Sequence, residues 1–144
     1  MSVNFFIDDI SFRLKDKRKL KSWIERICLI EKRVIGNLNF IFTSNDKILD
    51  INIQYLSHNY LTDIITFSFN TENIVSGDIF ICIEKVKENS ISYNTTFYEE
   101  LHRVIIHGVL HLTGYDDITS KKQQVMRSRE DEALKTLNEE YLKI

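Results

Sequence analysis

The segment Asp78 to Ile83 is apolar at every position after its first residue. A strand of that kind has no polar face to turn to water, so it belongs in the middle of a sheet covered by other elements. Asp63 to Phe69, rich in Ile and Phe, lies just upstream across Asn70 to Asn73 and Gly77. The two runs read as hairpin-linked strands bounded by turn residues. Around them, Val3 to Ile7 reads as a strand, and Asp16 to Arg33 as a helix with Leu20, Trp23, Ile24, Ile27 and Cys28 at the 3.6-residue period. Leu38 to Thr43, after Gly36, reads as a further strand. Ser44 or Asn45 can cap a helix carrying Ile48, Leu49, Ile51 and Leu56, followed by a polar loop near His58 and Asn59. Helices near Lys85 to Tyr93, from Phe97 to Thr113 behind a Thr96 cap, and over about Ser120 to Leu142 complete the chain. The order βαβαββααα combines strand-helix-strand units with a hairpin. It predicts an α+β class: one domain over residues 1–144, a mixed sheet of about four strands and about five packing helices.

Nothing in the composition argues against one folded domain. The chain has 144 residues with no Pro and four Gly, and neither a repeat nor a low-complexity linker divides it. Its hydrophobic fraction of 43% and charged fraction of 28% are those of a globular protein rather than a disordered or membrane one. Met1 to Phe12 does not have the form of a signal peptide, and no run approaches the roughly 18 apolar residues of a membrane span. Cys28 and Cys82 are isolated in apolar surroundings, as reduced core residues of a cytoplasmic protein are. A net charge of −2 creates no general attraction for nucleic acid, which leaves any such binding to a local patch.

The chemistry is concentrated in His107-Gly108-Val109-Leu110-His111-Leu112-Thr113-Gly114-Tyr115-Asp116-Asp117. Two histidines four residues apart share one face of a helix, about 5–6 Å from each other, near enough for both to bind one metal ion. Gly114 can adopt the left-handed conformation that ends the helix, and the reversal can bring Asp117 back to the same ion. Two His and one Asp leave a fourth zinc position for a metal-bound water, the arrangement of a catalytic rather than a structural site. The competing reading is of two buried core histidines. The metzincin frame H-E-x-x-H-x-x-G-x-x-H is kept, but Gly108 replaces the Glu that serves proteases as general base.

The same segment resembles the signature H-G-x-L-H-L-x-G-Y-D-H of the YbeY family, zinc-dependent endoribonucleases of bacterial ribosomal RNA maturation. Thr62-Asp63-Ile64-Ile65-Thr66-Phe67 is similar to the family's T-D-V-L-S-F, and Gly77-Asp78-Ile79 to its G-D-I. Asn52 and Tyr55 upstream, and Met126 with Glu130 to Leu134 downstream, extend the likeness over most of the chain. The resemblance implies one Zn²⁺ per chain on His107, His111 and Asp117, and single-strand-directed cleavage of RNA. It further implies a role at the 3′ end of 16S rRNA, in ribosome maturation and quality control, with ribosomal RNA and the small ribosomal subunit as partners. Two residues depart from the family: Asp117 stands where the motif ends in His, and Leu56 where an Arg suited to phosphate usually follows the Tyr.

Several further residues carry paired readings. His58 can supply a cation or be an ordinary loop residue, and Arg103, one turn before His107, can face phosphate or form a helix-surface ion pair. Thr62 and Asp63 can line the cleft or fix the loop-to-strand turn. Lys17 and Lys19, with Lys15, Arg18, Lys21 and Arg26, can contact RNA or form the solvated face of a helix. His102, five residues before His107, is rotated away from the ligand face. The rival to an enzyme is a zinc-containing ribosome-assembly or RNA-binding factor without catalysis.

Overall fold

A computed structural model describes residues 2–56 and 62–142 of the chain. Four strands and five helices follow in the order β1 (Ser2–Ile7), α1 (Lys17–Ile30), β2 (Val34–Thr43), α2 (Asn45–Leu56), β3 (Ile64–Ser68), β4 (Ile74–Cys82), α3 (Ile83–Ser92), α4 (Phe97–Thr113) and α5 (Ser120–Leu142). The sheet order is β1-β2-β4-β3. β1 and β2 are parallel, β2 and β4 are parallel, and β3 runs antiparallel to β4. The apolar run is thus an inner strand of a mixed sheet, in an α+β domain.

Alternation along β4 divides the packing. Ile79 and Ile81 point into the larger core with Phe40 and Phe42 of β2, Trp23 of α1, and Leu101, Ile105 and Val109 of α4. Phe80 and Cys82 point the other way, toward Ile48 and Ile51 of α2 and Ile65 of β3. Cys28 and Cys82 are both free thiols inside these clusters, and burial with the nearby Glu31 and Glu25 pushes the Cys28 thiol up to about 12. Among the described residues no helix is long and apolar enough to cross a membrane.

Several boundaries differ from the sequence reading, and β4 starts at Ile74 rather than Asp78, with Gly77 inside it. α1 stops at Ile30 because Lys32 turns into the left-handed region (φ 59°) and the Arg33 amide bonds back to the Cys28 carbonyl. β2 starts at Val34 rather than Leu38: its pairing with β4 continues past an irregularity between Ile35 and Leu38, so Gly36 lies within the strand. α3 starts at Ile83, directly after β4, with Cys82 as its N-cap.

α4 has the predicted limits for identifiable reasons. The Thr96 hydroxyl accepts a hydrogen bond from the Glu99 amide at 3.1 Å, capping the N-terminus. At the other end Gly114 has φ 115°, its amide bonds to the His111 carbonyl, and the Tyr115 amide bonds to the Leu110 carbonyl, each at 3.1 Å. This is a Schellman ending, available to glycine without the strain a Cβ would add. Gly108 sets the helix close to the sheet, since a Cβ there would lie 2.8 Å from Ile64 Cδ1 and 3.1 Å from Ile79 Cγ2.

Candidate metal centre

With α4 seated on the sheet, the ring centroids of His107 and His111 are 4.7 Å apart, and His107 lines a cleft. The turn after Gly114 brings Asp117 to them. Asp117 Oδ2 lies 3.6 Å from His107 Nε2, and Oδ1 lies 3.7 Å from His111 Nε2. One potential ligand atom from each residue falls within 4.8 Å of the others. Metal bonds of about 2.0–2.1 Å in a tetrahedron need ligand atoms about 3.4 Å apart, so these three residues fit one ion with a small inward adjustment. The turn is held in part by Gln123, whose side-chain amide donates to the Asp117 carbonyl at 3.0 Å. Asp116 points elsewhere. Its carboxylate accepts from the Ile118 amide at 3.2 Å and from Lys122 at 3.1 Å, and these bonds hold it below the usual carboxylate range.

Behind His107 stands a group the sequence reading did not assign to the site. Glu130 of α5 is buried, and its Oε2 lies 2.6 Å from His107 Nδ1. Its Oε1 accepts from Arg103 Nη1 at 2.8 Å, while Arg103 Nη2 donates to Asp131 at 2.7 Å. With Nδ1–H given to the carboxylate, the Nε2 lone pair faces Asp117 and His111, the tautomer a metal requires. Burial works against a charge on either partner, but the shared bond prevails: His107 is held above its ordinary range and Glu130 below its own. His111 has no such carboxylate, and burial together with the neighbouring His107 lowers it.

His107, Asp117 and Glu130 line a cleft of about 470 Å³ together with Asp63, Tyr93, Glu100 and Arg127. Asp63 therefore faces the cleft, and burial raises its carboxyl against the pull of His107 and a hydrogen bond with Thr62. Arg103 lines the cleft as well, but its guanidinium is engaged by two carboxylates. Lys17 and Lys19 sit on α1 and do not line the cleft. His102 packs edge-on against Trp23 with ring centroids 6.2 Å apart, off the ligand face as its spacing implies. His58 lies outside the described residues. Position 108 faces the sheet, so a glutamate there would have no path to the metal.

A sequence signal for Glu130 does exist. The buried stripe of α5 is Met126, Glu130, Ala133 and Leu137, and a carboxylate on an apolar stripe needs a partner across the interface.

Comparison with known proteins gives the family. The profile of the family described as YbeY, Endoribonuclease YbeY, matches residues 7–138. The chain is 39% identical over 140 residues to Endoribonuclease YbeY of Parabacteroides distasonis, covering 97% of this chain and 99% of that protein. It is 42% identical over 134 residues to Endoribonuclease YbeY of Cytophaga hutchinsonii, covering 92% and 94% respectively. Among solved structures, the solution structure of TM1509 from Thermotoga maritima superposes with a TM-score of 0.68 at 30% identity, over 99% of this chain and 93% of that one. The chain belongs to the YbeY family.

Proposed function

We propose that the chain is a zinc-dependent, single-strand-directed endoribonuclease. Its place is the cytoplasm, where it acts on ribosomal RNA of the small subunit, at the 3′ end of 16S rRNA, in ribosome maturation and quality control. The observation that carries this reading is the convergence of His107, His111 and Asp117 within 4.8 Å, beside an open cleft that His107 and Asp117 line, in a chain whose relatives are named as endoribonucleases. Held by these three residues, one Zn²⁺ per chain would supply Lewis-acid polarisation of a phosphodiester and acidification of a water. The rest of the work falls to side chains. Glu130 keeps the proton on His107 Nδ1, so that Nε2 stays a ligand. Asp117 contributes an anion where a third histidine would be neutral, which reduces the positive charge left for the substrate. No glutamate occupies the protease base position, and Asp63 and Glu100 are cleft carboxyls that burial raises above the usual carboxylate range.

The test is cleavage of single-stranded and structured RNA by the wild type and by His107→Ala. Loss of cleavage in the variant is expected, and equal cleavage by both would contradict the reading. Product ends distinguish the routes, because a 2′,3′-cyclic phosphate requires attack by the RNA 2′-hydroxyl rather than by water. Leu56, in place of a phosphate-binding arginine, favours a second reading as a non-catalytic assembly factor. Stoichiometric zinc with RNA binding and no cleavage would establish it.

A further inference from the structure

The cleft is poor in free positive charge. Asp63, Glu100, Asp117 and Glu130 line it, against two arginines. Arg103 is bound at both ends of its guanidinium by Glu130 and Asp131. Arg127 is different: it is exposed, and no carboxylate among the described residues comes within ion-pair distance of it. Its charge is felt by the buried Glu100, which places it over the cleft rather than out in solvent.

Its position on α5 follows from helical spacing. Gln123, Met126, Arg127 and Glu130 stand at i, i+3, i+4 and i+7 and share the cleft face. Arg127 thus lies between the residue that holds the Asp117 loop and the residue that holds His107. A second cavity of about 330 Å³, lined from the end of α3 and from α4 and α5, shares Glu100 and Arg103 with the cleft. Tyr93 and Arg127 line both cavities. The Tyr93 side belongs to the C-terminal cap of α3, and the residue remains 65% exposed, a large aromatic surface that the core does not use.

An exposed aromatic ring and an unpaired guanidinium beside one groove are what an RNA strand needs, one for a base and the other for the backbone. We infer that Arg127 and Tyr93 form a nucleotide subsite beside the metal triad, in which the guanidinium binds a backbone phosphate and the ring stacks on an unpaired base. The inference rests on the endoribonuclease reading and adds a structural reason for a single-strand preference: a base inside a duplex is stacked on both faces and leaves none for the tyrosine.

The experiment uses the zinc-loaded protein and a fluorescein-labelled, 2′-O-methylated single-stranded RNA that cannot be cleaved, with affinity followed by anisotropy at several salt concentrations. Arg127→Ala should weaken binding about tenfold and reduce the slope of log K against log salt by about 0.7, the loss of one single-strand phosphate contact. Tyr93→Ala should weaken binding roughly tenfold, Tyr93→Phe should restore it, and neither should alter binding to a fully paired RNA. Lys121→Ala, an exposed charge on the same helix outside both cavities, controls for general electrostatics. If Arg127→Ala lowers the affinity and slope no more than Lys121→Ala does, or if Tyr93→Ala binds like wild type, the subsite is wrong while the endoribonuclease reading stands. A wild-type protein that binds no RNA overturns both.

Discussion

α4 and α5 face each other across the cleft and are built on opposite plans. In α4 most of the helix is buried, including Leu101, Val104, Ile105, Ile106, Val109 and Leu110, and the two histidines emerge from that apolar body. In α5, by contrast, Met126, Glu130, Ala133 and Leu137 are the buried residues among those described, and most of the others are polar or charged and exposed. The first helix holds the ligands by packing, so their backbone positions are set by the core. The second adds adjustable charge: Glu130 behind His107 and Arg127 beside it. The difference divides two tasks between the helices, although α4 also carries charge in the buried Glu100 and in Arg103, which finds its partners on α5.

The contrast can be broken most forcefully in the core. Ile105→Ala, at a fully buried position of α4, should cost about 2–5 kcal/mol in chemical denaturation. Val125→Ala, on the exposed side of α5, should stay within about 0.5 kcal/mol. Equal losses would mean that α5 carries as much of the fold as α4. A smaller effect sharpens the division of labour. Glu130→Gln keeps an acceptor near His107 Nδ1 but removes the charge, and should lower zinc affinity about 10–100-fold in competition with a chromophoric chelator while circular dichroism stays unchanged. Unchanged zinc affinity would reduce Glu130 to a packing residue.

How far the sequence could be read follows the same division. α4 and its ligands were legible because every signal is local: the Thr96 cap, the four-residue histidine spacing, and Gly114 at the turn. Even Asp117 required only the reversal that the glycine permits. The contact between Glu130 and His107 spans 23 residues and depends on how two helices meet, information that helical period alone does not contain. Sheet order was partly visible, since the unbroken apolar run of β4 demands an inner position. The end of α1 was not, because Lys32 takes a left-handed conformation that its residue type does not announce. The helical period sets Arg103 one turn before His107 and allows it an ion pair, but its two partners lie on α5, and Lys17 and Lys19 share a charged helix that does not line the cleft.

The most direct test of the central claim is the metal content of protein purified without chelators, measured by elemental analysis for wild type, His111→Ala, Asp117→Ala and Asp116→Ala. One zinc per chain is predicted for the wild type and for Asp116→Ala, whose carboxylate is already taken by Lys122 and the Ile118 amide, with substoichiometric metal in the other two. A wild type without stoichiometric zinc, or an Asp117→Ala variant that keeps its metal while Asp116→Ala loses it, would contradict the site described above.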